Sequence, residues 1–191
     1  MRVKDEIKQD ALFKATVKLV NEIGFASSSV SKIAKEAGIS PATVYIYYKN
    51  KDDLLVSTYM NIKRDFIQAL LKNLDKSLPL RDILKQIWFN LFEFISKNQA
   101  EFRFTEQFAN SPFNDRVDTA EIDKMLLPLI ELIEYGKAQK MIKDVPLELI
   151  IAFCFYPMYT LANPKICPGF SKTKADDIET AFTLAWDAIK L

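Results

Sequence analysis

The fold follows from residues 24–54, which read GFASSSVSKIAKEAGISPATVYIYYKNKDDL. Apolar residues recur at helical spacing over residues 30–37, and Gly38 ends this short helix because glycine adopts a left-handed conformation without a steric penalty. Ser40 and Pro41 are the residue types preferred at the N-cap and first position of a second short helix. Two short helices joined by a three-residue turn predict a helix-turn-helix.

Further helices are predicted on both sides of this stretch. Apolar residues at four-residue intervals from Ile7 to Leu19 indicate one amphipathic helix, which we expect to end at Gly24. On the other side, Asn50 is a suitable N-cap for a fourth helix, because the acidic residues that follow it favour the positive end of a helix dipole. The helix-turn-helix therefore lies within a larger helical fold.

The rest of the chain also has a helical period. Apolar stripes occupy, in order, residues 54–74, 83–95, 102–108, 122–141 and 146–161, and a last helix is expected from about Ser171 to Ile189. Alternation of the β type is absent over any useful length. We therefore predict an all-α fold, in which Pro128 and Pro157 kink their helices and open space between neighbours.

Composition excludes several classes of function. The 191 residues contain no histidine, and the two cysteines, Cys154 and Cys167, have no metal-binding spacing. A histidine-ligated metal, a Ser-His-Asp triad and a Cys-His dyad are therefore excluded, and no glycine-rich phosphate loop is present. We expect neither an enzyme nor a cofactor. A disulfide between the two cysteines stays open, although free thiols in a reducing cytosol are favoured.

Charge and hydropathy indicate where the protein acts. The net charge of +1 divides into +4 over residues 1–51 and −3 over residues 52–191, so the N-terminal part suits a polyanion. The first ten residues are too charged for a signal peptide, and no apolar run reaches the roughly 18 residues of a membrane-spanning helix. We expect a cytoplasmic protein without a membrane partner.

The stretch at residues 24–54 resembles the N-terminal signature of the TetR/AcrR family of bacterial regulators. This resemblance implies a three-helix DNA-binding domain at residues 1–49, followed by a helical effector-binding and dimerisation domain at residues 50–191. It also implies a repressor that binds a palindromic operator as a homodimer and that a small-molecule ligand releases. The alternative is an architectural DNA-binding protein of the same fold that responds to a protein partner.

The resemblance also implies individual DNA contacts. Ser28 or Ser29 would hold a phosphate, Lys51 would pair with another, and Tyr45 and Tyr47 would reach backbone or base. The residues expected to face the major groove are Ser40, Pro41, Ala42 and Thr43. In support, unpaired N–H groups make helix N-termini favourable for phosphate.

Two of these positions depart from the family pattern. The family often has glycine at the position of Ala42, whose methyl group could contact a thymine methyl or restrict the approach of the backbone. Tyr48 replaces a frequent phenylalanine, and we expect it to be mostly buried. Taken singly, Ser29, Ser40 and Asn50 would also be suitable caps in any helical protein.

Aromatic residues cluster in the middle of the chain, and they have two interpretations. At helical spacing they are usually core, but this many can also line an apolar cavity for a hydrophobic or aromatic ligand. The residues expected to bind such a ligand are Trp88, Phe92, Phe104, Phe108, Met125, Phe155 and Tyr159.

Homodimerisation is expected through the last two helices. The segment 153–161 is apolar nearly all round, which exceeds what one core-facing stripe requires. In the last helix, Ala181, Ala185 and Ala188 would permit close approach of a partner helix, and Phe182 would anchor it.

Overall fold

The structure, a computed structural model, describes residues 2–170 and 175–191. The described helices are α1 Arg2–Ser27, α2 Val30–Glu36, α3 Pro41–Tyr47, α4 Lys51–Leu70, α5 Leu80–Lys97, α6 Gln99–Ala109, α7 Thr119–Ala138, α8 Leu147–Ile150, α9 Tyr156–Leu161 and α10 Ala175–Ile189. An antiparallel bridge joins Ile142 to Lys190. The predicted all-α fold is confirmed. Ser171, the expected start of the last helix, lies outside the described residues.

The chain forms two compact units, which we call unit 1 and unit 2. Unit 1 comprises the chain up to Arg64 together with Ala100–Asp118, and therefore contains α1, α2, α3, most of α4 and nearly all of α6. Unit 2 comprises Asp65–Gln99 and Thr119–Leu191, and therefore contains the end of α4, α5 and α7 to α10.

Aromatic packing explains why unit 1 includes α6. The Phe104 ring lies edge-on to Phe25 of α1, with 5.6 Å between centroids, and Phe108 stacks on Tyr59 of α4 at 4.3 Å. The compact units therefore do not divide at residue 49, because a later helix completes the core of the N-terminal segment. The division of DNA binding and effector binding between residues 1–49 and 50–191 stays a prediction.

In unit 2, one helical run contains a wider turn. α8 continues into α9 through a π-helical segment, Ile151–Phe155, in which the Tyr156 N–H donates to the Ile151 carbonyl. This segment accommodates Pro157, which has no N–H and would clash with a carbonyl of the preceding turn in a regular α-helix. The Cys154 carbonyl accepts a hydrogen bond of 3.0 Å from the buried Trp88 indole, which satisfies the donor of that side chain.

Candidate nucleic-acid interface

A small apolar core holds the helix-turn-helix of unit 1 together. Val44 of α3 is buried against Ile33 and Ala34 of α2 and against Leu12 of α1. Tyr48 packs against this core and is half-buried, and burial raises the pKa of its phenol. Val44 is a core residue, whereas Tyr48, which was expected to be mostly buried, is only half-buried beside this core. The opposite face of α3 is left for other contacts.

The turn between α2 and α3 depends on Gly38. Its φ of +69° is left-handed, and the flanking N–H groups close a Schellman motif: Gly38 donates to the Lys35 carbonyl at 3.1 Å and Ile39 donates to the Ala34 carbonyl at 3.0 Å. A Cβ atom at residue 38 would meet no atom within 4 Å, so glycine is required by the backbone conformation and not by space at the Cβ. This turn sets the angle between α2 and α3.

Three helix N-termini of the module carry side-chain caps. Ser29 accepts from the Lys32 N–H and Ser40 accepts from the Thr43 N–H, each at 3.2 Å. Asn50 accepts from the Asp53 N–H at 2.9 Å, and the Asp53 carboxylate accepts in turn from the Lys49 N–H at 2.8 Å. The predicted capping roles of Ser29, Ser40 and Asn50 are confirmed.

The structure separates the two serines predicted as alternative phosphate ligands. Ser28 is only 1% exposed, and its hydroxyl donates to the Gly24 carbonyl at 2.7 Å. Ser29 is exposed at the start of α2. Ser28 is therefore wrong as a phosphate ligand, because its hydroxyl is turned inward to satisfy the carbonyl at the bend of α1, where Gly24 has a φ of +74°.

The outer face of α3 is largely exposed. Ser40, Pro41, Ala42 and Tyr45 are exposed, and Tyr45 retains 57% of its accessible surface. Thr43 is half-buried, with its hydroxyl 2.9 Å from that of Ser40. Sequence reasoning did not select Ile46, although it is the most exposed large apolar residue of α3 and extends the same face. This face carries hydrogen-bonding and methyl groups but no cation.

Two side chains that were predicted to contact DNA donate hydrogen bonds to other groups of the protein. The Tyr47 hydroxyl donates to the Asp5 carboxylate at 2.9 Å, and the hydrogen bond to Asp5 raises the pKa of Tyr47. The Lys51 ammonium donates to the Phe25 carbonyl at 2.5 Å, so Lys51 fastens the end of α1 to the start of α4. Neither partner was anticipated, because both lie far away in sequence.

The residues predicted to bind a ligand are distributed over both units. Phe104 and Phe108 are fully buried in unit 1 among Phe25, Tyr59 and Phe113. They fill the core of that unit, so the structure assigns them to packing within unit 1 rather than to a ligand pocket.

The other five candidates belong to unit 2. Trp88 is buried, stacks on Phe92 with 5.7 Å between centroids, and meets Phe182 edge-on at 6.2 Å. Phe155 is buried too, whereas Phe92, Met125 and Tyr159 are half-buried. Burial raises the pKa of the Tyr159 phenol well above its usual range. Whether these side chains meet an effector stays a prediction.

One surface of unit 2 is apolar and exposed. Phe153 of the π segment retains 60% of its accessible surface and Leu184 of α10 retains 67%. Together with Pro157 and Leu161 they line a groove of about 420 Å³. We call this surface the α9–α10 face. Phe182, predicted as an anchor for a partner, is wrong in that role because it is fully buried beneath Trp88.

Among the described residues, no helix has the length and apolar character needed to cross a bilayer. Within the same ranges, no cluster of cysteine and carboxylate side chains is suited to holding a metal ion.

Comparison with known proteins covers most of the chain. The family model described as "Bacterial regulatory proteins, tetR family" matches residues 12–58, and the one described as "Tetracyclin repressor-like, C-terminal domain" matches residues 79–190. The crystal structure of a TetR family transcription regulator from Marinobacter aquaeolei VT8 is 36% identical, with a TM-score of 0.88, over 100% of this chain and 99% of that one.

Two other proteins extend the comparison. An uncharacterized HTH-type transcriptional regulator of Haemophilus influenzae is 31% identical over 103 residues, which are 54% of this chain; the match spans about half of that relative, 55% of its length. The transcriptional regulator FadR from Bacillus subtilis, in complex with stearoyl-CoA, has a TM-score of 0.70 at 20% identity, over 94% of this chain and 96% of that one. At this identity the likeness shows the fold alone.

Proposed function

The chain belongs to the TetR family of bacterial transcriptional regulators, and we propose that it is a repressor which binds a palindromic operator as a homodimer and leaves it when a small apolar effector binds. It is a DNA-binding regulator and not an enzyme. Since a regulator must reach the chromosome, we propose that the protein acts in the cytoplasm.

The observation that carries the DNA-binding part is the exposed face of α3. A buried Val44 holds this helix on the module, while Ser40, Pro41, Ala42 and Tyr45 face outward. Without a cation on this face, base recognition rests on hydroxyl groups and on methyl contacts with thymine. Affinity from phosphate neutralisation then comes from flanking lysines and helix N-termini.

The α9–α10 face supports the dimer. Large apolar side chains that form one exposed patch indicate a protein interface, and a two-fold symmetric interface uses the same patch on both copies. Phe153 and Leu184 are such side chains, and the groove beside them offers a complementary surface. Two copies related in this way would present two α3 helices, which matches a palindromic site.

Operator recognition is tested by selection from a random-sequence duplex library with the purified protein. The expected result is an enriched inverted repeat whose half-site centres lie about one helical turn of DNA, or a multiple of it, apart. Enrichment of a single half-site would contradict the dimeric part of the proposal. No enrichment of any sequence would contradict specific DNA binding itself.

The effector is proposed to have an apolar body. The half-buried Phe92 and Tyr159 of unit 2 offer aromatic surface, and FadR from Bacillus subtilis, which shares the fold, is in complex with stearoyl-CoA. Long-chain acyl-CoA is therefore the first class to add to the selected operator complex. Release by stearoyl-CoA but not by coenzyme A would support an apolar effector. Equal release by both would contradict it.

Lys51→Ala is expected to weaken binding to all DNA sequences alike. An ammonium that neutralises one phosphate releases about one counterion, so the slope of log K against log salt should flatten by about one unit. The slope is measured by titration at several salt concentrations, with Lys76→Ala, an exposed lysine of unit 2, as the control. Because Lys51 also binds the Phe25 carbonyl, thermal unfolding is measured as well. A lower melting temperature with an unchanged slope would make Lys51 a purely structural residue.

A further inference from the structure

The hydrogen bond between Tyr47 and Asp5 joins the two ends of the DNA-binding module. Tyr47 is the last residue of α3, and Asp5 lies in the first turn of α1, 42 positions earlier in the chain. The Tyr47 ring is half-buried and packs against the apolar core of the helix-turn-helix, beside the Tyr48 ring at 6.5 Å. The core therefore holds the ring, and the carboxylate holds the hydroxyl.

We propose that Asp5 is a positioning residue for the recognition helix α3: its carboxylate still accepts the hydrogen bond from the Tyr47 hydroxyl in the operator complex, so Tyr47 orients α3 and does not bind a phosphate. This inference rests on the proposed DNA-binding function. It also replaces the role that family resemblance implies for Tyr47.

The hydrogen-bonding capacity of the Tyr47 hydroxyl favours retention of its bond to Asp5. A phenol has one O–H donor, and a phosphate oxygen is only an acceptor, so Tyr47 cannot serve Asp5 and a phosphate together. If the Tyr47 hydroxyl donated to a phosphate instead of to Asp5, it would exchange one charged acceptor for another, so the gain in binding free energy would be small. The exchange would also leave the Asp5 carboxylate without this donor beside a polyanion. Retention of the pair is therefore favoured.

The length of α3 determines how far its N-terminal end moves when its C-terminal end tilts. Seven residues at about 1.5 Å each give a helix roughly 10 Å long. A tilt of about 10° at its C-terminal end would then move its N-terminal end by roughly 2 Å, since displacement scales with that length. Ser40 to Thr43 lie at the N-terminal end, so direct readout of bases depends on how Tyr47 is held.

Tyr45, on the same helix, is a tyrosine whose side chain is exposed to solvent. It retains 57% of its accessible surface, and it lies two residues before Tyr47 on the exposed face. A DNA contact by a tyrosine hydroxyl is therefore assigned to Tyr45, and the orientation of α3 to Tyr47 with Asp5.

The test compares Asp5→Ala with Asp5→Asn, in the full-length protein, on the selected operator and on a non-operator duplex. Both variants remove one negative charge, but only asparagine keeps a carbonyl oxygen that can accept from the Tyr47 hydroxyl. We expect Asp5→Ala to bind the operator about fivefold more weakly than Asp5→Asn, since that factor corresponds to about one neutral hydrogen bond. Binding to the non-operator duplex should be the same for both variants, because it depends on charge.

A double-mutant cycle completes the test. Tyr47→Phe keeps the half-buried ring, and combining it with Asp5→Ala should weaken operator binding no further than Tyr47→Phe does alone. Additive losses would overturn the proposal, as would tighter operator binding by Asp5→Ala than by Asp5→Asn, the result expected if Asp5 competed with a phosphate for Tyr47. Failure of the wild-type protein to select any operator would instead refute the proposed function.

Discussion

Replacing Leu184 by glutamate is expected to convert the protein into a monomer and to lower its operator affinity by about a hundredfold or more. Leu184 retains 67% of its accessible surface on the α9–α10 face, where the proposed dimer would cover it. In a two-fold symmetric interface the substitution occurs twice, so two carboxylates would lose their hydration without partners, which costs several kcal/mol each. A monomer then loses the advantage of binding two linked half-sites.

Light scattering at micromolar concentration measures the mass, and operator titration measures the affinity. Leu127→Glu is the matched control, because Leu127 is also an exposed leucine of a unit 2 helix, with 48% of its surface accessible, but lies on α7. It should leave the mass at that of a dimer and the affinity within about twofold. A dimer that persists in Leu184→Glu would show that the two copies meet elsewhere.

Phe108→Ala is expected to lower the free energy of unfolding by about 3–5 kcal/mol, the usual cost of removing a fully buried phenylalanine ring. Phe108 stacks on Tyr59 at 4.3 Å and also meets Phe25 at 5.9 Å and Phe104 at 6.0 Å, so its loss leaves a cavity between α1, α4 and α6. Chemical denaturation followed by circular dichroism measures the change.

Phe113→Ala is the comparison for this prediction. Phe113 belongs to the same cluster, 5.5 Å from Phe25, but it is half-buried, so the expected loss of stability is clearly smaller. An unchanged stability of Phe108→Ala, together with a lost response to the effector, would return Phe108 to the role of ligand contact that its sequence pattern suggested.

Local signals made the DNA-binding module predictable. Ser40, Pro41 and Gly38 act through the backbone of their own turn, so their preferred conformations can be read from the sequence without knowledge of tertiary contacts. The capping roles of Ser29 and Asn50 follow in the same way. The helix boundaries around them therefore agree with the structure.

Features that depend on long-range contacts could not be predicted. Helical periodicity shows that Phe104 and Phe108 are buried, but it does not show whether a ligand or Phe25 and Tyr59 cover them. The hydrogen bond from Tyr47 to Asp5 joins residues that are 42 positions apart, so no local sequence pattern predicts it.

On α10 the error concerned the direction of one side chain. Phe182 was expected to anchor a partner beside the alanines of the helix, but an aromatic ring is equally suited to the core. In the structure it is buried against Trp88, and Leu184, two residues further on, is exposed. Two residues on a helix differ by about 200° in direction, so a hydrophobic count cannot distinguish these faces.

The π segment of residues 151–155 has a consequence for how the family's sequences can be aligned. A π turn contains one residue more than an α turn, and each residue of an α-helix turns the chain by about 100°. A relative that is shorter by one residue here can form a regular α turn and keep nearly the same downstream register, because the wider turn absorbs the extra residue. The face of the proposed dimer would then be retained through a single-codon deletion, provided that another residue replaces Pro157, which needs the wider turn. When relatives are compared, a one-residue gap at this place is therefore expected to occur together with the loss of the proline.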